Sequence, residues 1–137
     1  MRFLVDENIP HVLAAHLAGI YLDHAFVSAF DEAARYCGVD DVDLFPRLIE
    51  DGFDAIVTRD KNQLADAAEK SMLRELGLRW IGHQAKEWPG LRGIVLTVAT
   101  LTAGLFYVLE DWQEEPHAYH LRGVEAQPGQ RMKSHPI

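Results

Sequence analysis

Three places in the chain put carboxylates where they could share a cation. Asp6 ends the apolar run Arg2-Phe3-Leu4-Val5 and is followed by Glu7-Asn8. Asp60 follows the run Asp54-Ala55-Ile56-Val57-Thr58 and stands between Arg59 and Lys61. Asp40, Asp41 and Asp43 open the stretch that precedes the second run. Carboxylates gathered at one point repel one another, which raises their pKa values unless a positive charge sits among them. A hard divalent cation meets that need: magnesium takes carboxylate oxygen in octahedral geometry and leaves its other positions to water and phosphate. Each residue also has a plainer role. Aspartate is a good helix cap, and an acidic residue after a strand is often only solvated. At least one of Asp40, Asp41 and Asp43 is expected to cap a helix. Arg59 and Lys61 are either an ordinary solvated loop or a positive rim suited to phosphate.

For Asp6 and Asp60 to meet across 54 positions, both runs must be neighbouring central strands. The patterning predicts this. Residues 2–5 and 54–58 are apolar on both faces, as in strands of a buried parallel sheet. A helix is expected from Ile9 to Leu17, with Asn8 as N-cap, Pro10 in the first turn and Gly19 as the stop. A strand at 24–30 and a loop or single helical turn at 31–38 follow. Next comes a helix over about 41–51, whose Pro46 is harmless if Asp43 caps it and costs a hydrogen bond if it starts at Asp40. Further along, the pattern gives a helix at 63–76, a strand at 79–83 and a long helix at 91–111. That long helix is expected to turn Leu91, Ile94, Val95, Val98, Leu101, Leu105, Val108 and Leu109 inward. A last strand at 117–122 and a loose tail from Gln127 complete the chain. Alternating strands and helices with short connections predict an α/β fold, a three-layer α/β/α sandwich around a mostly parallel sheet. Right-handed crossovers bring the carboxyl ends of the strands to one edge. One domain over 1–126 with a tail at 127–137 is expected.

The chain has 137 residues and is 48% hydrophobic, enough for a real core. Its 13 basic and 21 acidic residues leave a net charge of −8, which argues against coating nucleic acid by general attraction. Bound cations and a local basic rim are compatible with that charge. One cysteine, Cys37, permits no internal disulfide and, with no secretory-type start, suggests a cytoplasmic setting. Ile94 to Leu109 carries no charge, but sixteen helical residues span only about 24 Å. With Thr97, Thr100, Thr102 and Gly104 inside it, a buried or interface helix is expected and not a membrane span. His11 and His16 lie about 140° apart around a helix, His117 and His120 point to opposite faces of a strand, and Cys37 has no partner that would mark a nucleophile. Structural roles are expected for all of them.

Leu4-Val5-Asp6-Glu7-Asn8, the Gly38-Val39-Asp40-Asp41 segment and Ile56-Val57-Thr58-Arg59-Asp60-Lys61-Asn62 together resemble the PIN-like domains related to VapC-type toxins, over about residues 2–64. The resemblance implies a Mg²⁺- or Mn²⁺-dependent ribonuclease, often the toxin of a toxin–antitoxin pair. Asp6, Asp41 and Asp60 would hold the metal, with Asp43 as the fallback for Asp41. Asn8 would fix the first carboxylate or touch a metal-bound water. Apart from the resemblance, Arg59 and Lys61 are the candidates to meet substrate phosphate. The chemistry implied is in-line hydrolysis of a phosphodiester by metal-activated water. An RNA substrate, an antitoxin and a second copy of the chain are the expected partners. Relatives commonly have a further aspartate where this chain has Asn62, which bears on a second metal position. Two alternatives stand beside this: a PIN-like binding module without catalysis, using the long apolar helix as a partner or dimer surface, and a receiver-like phosphoacceptor. The latter needs a Ser or Thr ending strand four and a Lys ending strand five, where this chain has Gly82-His83 and Leu121-Arg122.

Overall fold

Strand β1 (Arg2–Val5) is flanked by β2 (Ala25–Ser28) on one side and β3 (Ala55–Thr58) on the other, in a computed structural model that describes residues 1–31, 33, 35–83 and 88–124. Strands β4 (Arg79–His83) and β5 (Ala118–Leu121) extend the sheet beyond β3. The order is β2-β1-β3-β4-β5, and all four pairings are parallel. The tail expected over 127–137 lies outside the described residues.

The sheet is apolar on both faces because helices cover both. Phe3, Val5, Ala55, Val57 and Ile81 face α1 (Val12–Ile20) and α5 (Gly90–Glu110), packing with Leu13, Leu17, Leu101, Leu105 and Val108. Leu4, Ile56 and Trp80 face the other way, onto α2 (Asp41–Glu50) and α4 (Ala67–Leu76), through Leu44, Phe45, Leu48 and Leu73. Successive side chains alternate between the two layers, as strand geometry requires. The result is the three-layer α/β/α sandwich that the pattern predicts. Residues from Val5 and Thr58 onward therefore emerge at the same edge. That edge also holds the point where the chain's lateral progress reverses: β1 leads outward to β2, then back across itself to β3. Open parallel sheets bind ligands at such a switch point.

Several local expectations are corrected. The first helix starts at Val12, not Ile9, and Asn8 does not cap it. The Asn8 amide is engaged instead with groups around β3, described below. The helix expected over 63–76 is two: a single turn α3 (Asn62–Ala65) and then α4, separated at Asp66. The Asp66 carboxylate accepts hydrogen bonds from the N–H groups of Ala68 and Glu69 (2.8 and 3.0 Å) and restarts the helix as its N-cap. Helix α2 begins at Asp41 after Asp40, so Pro46 lies inside it and offers no N–H to the Val42 carbonyl.

The long helix α5 also differs. It buries Thr97, Thr100, Leu101, Leu105 and Val108, while Leu91, Ile94 and Val95 face out. A helix that is apolar all round has no periodicity to select its inner face, and here hydroxyls went inside. One of them, the Thr100 Oγ1, accepts from the Val124 N–H at 2.9 Å. At 21 residues, α5 is long and apolar enough to cross a membrane. In this fold one stripe of it packs on the sheet.

Candidate active site

Asp6 emerges from β1 only 7% exposed. One carboxylate oxygen, Oδ2, accepts from the Thr58 hydroxyl (2.6 Å) and the Asn8 amide (2.7 Å), and Oδ1 accepts from the Glu7 N–H (2.8 Å). Burial pushes the Asp6 pKa up, against the lowering pull of these bonds, and the charges of Glu7 and Asp60 raise it further. A carboxylate has about four acceptor positions. Three are in use here, and one is left for a further donor or a cation.

Asn8 ties the two strand ends together. Its Nδ2 donates to Asp6 and also to Thr58 Oγ1 (3.0 Å), and its Oδ1 accepts from the Arg59 backbone N–H (2.8 Å). Thr58 is fully buried and serves both sides, because its Oγ1 also accepts from the Asp60 N–H at 3.0 Å. Asp60 in turn accepts from the Asn62 N–H through Oδ1 (2.8 Å), which sets up the single turn α3. The strand-end acids are thus held by one connected set of hydrogen bonds.

Asp41, the first residue of α2, belongs to the same edge. Its pKa is pushed up to about 6 by burial, then by the Glu69 carboxylate of α4, and further by Asp6 and Asp60. The hydrogen bond from Gln63 (Nε2 to Oδ1, 2.9 Å) acts in the opposite direction. Asp43 is exposed on the same turn, and its charge is not among those that raise Asp6 or Asp41. Of Asp41 and its fallback Asp43, Asp41 is the one whose surroundings include Asp6 and Asp60. Asp60 is the common neighbour, since its charge raises Asp6, Asp41 and Glu69 alike.

Arg59 stands at the β4 side, where its charge helps hold the His83 imidazole down to about 4, after the larger effect of burial. Lys61 is exposed beside it. Glu7 turns away toward the loop before α2, where its Oε2 accepts from the Cys37 thiol (3.0 Å) and the Gly38 N–H (2.8 Å). That bond raises the Cys37 pKa, which suits a thiol that is no nucleophile. Sequence reasoning missed Thr58, Gln63, Glu69 and His83 as members of this edge. Thr58 alone had a signal, as a hydroxyl ending an otherwise apolar strand.

Asp6, Asp41 and Glu69, whose pKa values are all raised by the charge of Asp60, form with it a donor set suited to a hard cation. Among the described residues no three His, Cys, Asp or Glu side chains lie close enough to ligate one ion together. An ion here would be held by one or two carboxylates with water completing its shell, as magnesium commonly is.

A family model described as a PIN-like domain matches residues 1–84, and no curated protein or solved structure matches the chain. PIN-like domains are commonly nucleases and the fold is of nuclease type. The model is that of PIN-like domains at large, and the toxin relationship suggested by the motifs is a separate, finer matter. The match reaches past residue 64, where the motif resemblance ends, and takes in β1 to β4. The acidic edge built by those strands therefore lies wholly inside it, and the chain belongs to the PIN-like domain family.

Proposed function

We propose that this protein is a Mg²⁺- or Mn²⁺-dependent endoribonuclease that hydrolyses phosphodiester bonds in single-stranded or structured RNA. The observation that carries the proposal is the buried Asp6 carboxylate, held by Thr58 and Asn8 at the sheet's switch point within reach of the charges of Asp60 and Asp41. Asp6, Asp41 and Asp60 are the residues that would hold the ion. When bound, it would supply activated water and offset charge on phosphate. The remaining work belongs to the chain. Thr58 and Asn8 keep Asp6 oriented, and Gln63 keeps Asp41 oriented. Arg59 and Lys61 give a positive side on which the phosphate chain can lie. Asn62 puts its backbone, not a carboxylate, against Asp60, which favours one ion over two.

The test is cleavage of single-stranded RNA by the purified protein with Mg²⁺ or Mn²⁺. EDTA and Asp60→Asn should each abolish it, and undiminished cleavage under both would reject the carboxylate–metal proposal.

On this proposal the protein acts in the cytoplasm as the toxin of a toxin–antitoxin pair. It self-associates through the outward side of α5, where Leu91, Ile94, Val95, Phe106 and Tyr107 are exposed with α1's Val12 and Ile20. Exposed apolar area of this extent marks an interaction surface. Sedimentation of the wild type and of Val95→Glu checks the dimer, which the glutamate should dissociate.

A further inference from the structure

The Asp41 carboxylate is held by Gln63, a side chain only 2% exposed. A buried primary amide can be turned either way, presenting its oxygen or its NH₂ to a given neighbour, and its partners decide which. The other partner of Gln63 is the Trp80 indole, whose Nε1 lies 3.1 Å from Gln63 Oε1. An indole N–H can only donate. The amide oxygen must therefore face Trp80, which leaves the NH₂ facing Asp41. A carboxylate, which can only accept, is the one group that completes this chain without conflict.

Trp80 is itself fixed. It lies 2% exposed as the second residue of β4, in the layer beneath α2 and α4. Gly82, two residues on and on the same face, has no side chain, and the indole occupies the space. A Cβ there would fall 2.0 Å from the Trp80 Cη2 and 2.4 Å from its Cζ2. On the neighbouring strand, the residue paired with Gly82 is His120, whose ring sits 5.1 Å from the Trp80 indole. Gly82 and His120 together leave the indole one place to lie.

We infer that Trp80 and Gln63 are positioning residues for the candidate metal site: Trp80 fixes the orientation of the Gln63 amide, and the amide holds the Asp41 carboxylate facing the strand-end acids. This rests on the metal-binding proposal above and adds to it two residues that touch neither metal nor substrate. The relay joins β4 to the site, although no β4 side chain need reach the ion. Residues of this kind around metal ligands commonly change affinity by about 10–100-fold when altered.

The test uses Mn²⁺ alone as probe, with binding followed by electron paramagnetic resonance on the full chain. Gln63→Met removes the donor at similar volume, and Trp80→Phe removes the indole N–H while keeping an aromatic ring. Each is expected to weaken Mn²⁺ binding by about tenfold. The double variant should bind no more weakly than Gln63→Met, because Trp80 acts only through Gln63. Independent, additive losses would point to general loosening of the core and overturn the relay. So would unchanged affinity in Gln63→Met while Asp41→Asn loses the ion. A second measurement needs no metal: exchange of the Trp80 indole proton should be slow in the wild type and faster in Gln63→Met. If Mn²⁺ fails to bind the wild type, the metal proposal falls by itself, and fast indole exchange in the wild type would dismiss the relay by itself.

Discussion

Replacing Asp41 by Asn should make the metal-free protein more stable at neutral pH. The asparagine keeps an oxygen for the Gln63 NH₂, so the hydrogen bond survives and only the charge is lost. That charge is unwelcome in the fold, since burial and the carboxylates of Glu69, Asp6 and Asp60 lift the Asp41 pKa from 3.8 to about 6. Between those two pH values the folded protein holds a proton that the unfolded chain has lost, so stability falls as pH rises through the window and the full cost is present above it. At about 1.36 kcal/mol per unit the shift corresponds to roughly 3 kcal/mol. Asp41 is only partly buried, and solvent screening reduces this to about 1 kcal/mol. Urea titrations without divalent cation, at pH 7.5 and pH 3.5, measure it. The variant should be more stable by about 1 kcal/mol at the higher pH, with a midpoint of thermal unfolding higher by a few degrees. The advantage should vanish at the lower pH, where Asp41 is protonated in the fold. Added Mg²⁺ should stabilise the wild type more than the variant, because a ligand stabilises the state that binds it. An Asn variant that is less stable at pH 7.5, or a difference independent of pH, would refute charge crowding at Asp41.

Thr58→Val keeps the shape of a fully buried side chain and removes its hydroxyl, leaving Asp6 Oδ2 and the Asp60 N–H each short of a partner. A loss of about 1–3 kcal/mol is expected in urea unfolding, together with reduced RNA cleavage. Gly82→Ala should cost about 1–3 kcal/mol, because its methyl group would displace the Trp80 indole and overpack the layer; a shift of the Trp fluorescence emission to longer wavelength reports the displacement. His83 is held near pKa 4 in the fold against 6.5 when free. Stability should therefore fall as pH drops from about 6.5 toward 4, by at most about 3 kcal/mol, and His83→Gln should flatten that part of the pH–stability curve.

The two strands that carry the site, β1 and β3, are legible in the sequence because they are buried on both faces and read as short, largely apolar runs. Asp6 and Asp60 stand out for the same reason, as the first acidic residues beyond two such runs. What local pattern could not supply were the partners. Asn8 looks like a helix cap by type and position, and it is used instead to join Asp6 to Thr58 and Arg59, more than fifty residues on. Gln63 is an ordinary polar residue until Trp80, seventeen positions later, is placed beside it. Asp66 did carry a signal: an aspartate with Glu69 three residues later is a helix-start pattern, outweighed by an apolar periodicity that runs through it. In α5 the periodicity itself misled, because a helix with apolar residues on every side gives the sheet no preferred stripe.

The Asn8 cross-link has a consequence for the protein during its synthesis. Chains are elongated at about 5–20 residues per second. Asp6 leaves the ribosome seconds before Thr58 and Arg59, and longer still before Trp80. Until then its carboxylate has neither the hydroxyl nor the strand neighbour that hold it in place. An N-terminal fragment therefore cannot assemble a partial centre, and the nascent chain stays chemically silent until most of its sheet exists. If the proposed ribonuclease activity holds, that delay would separate manufacture on a machine built of RNA from action on RNA without any added inhibitor.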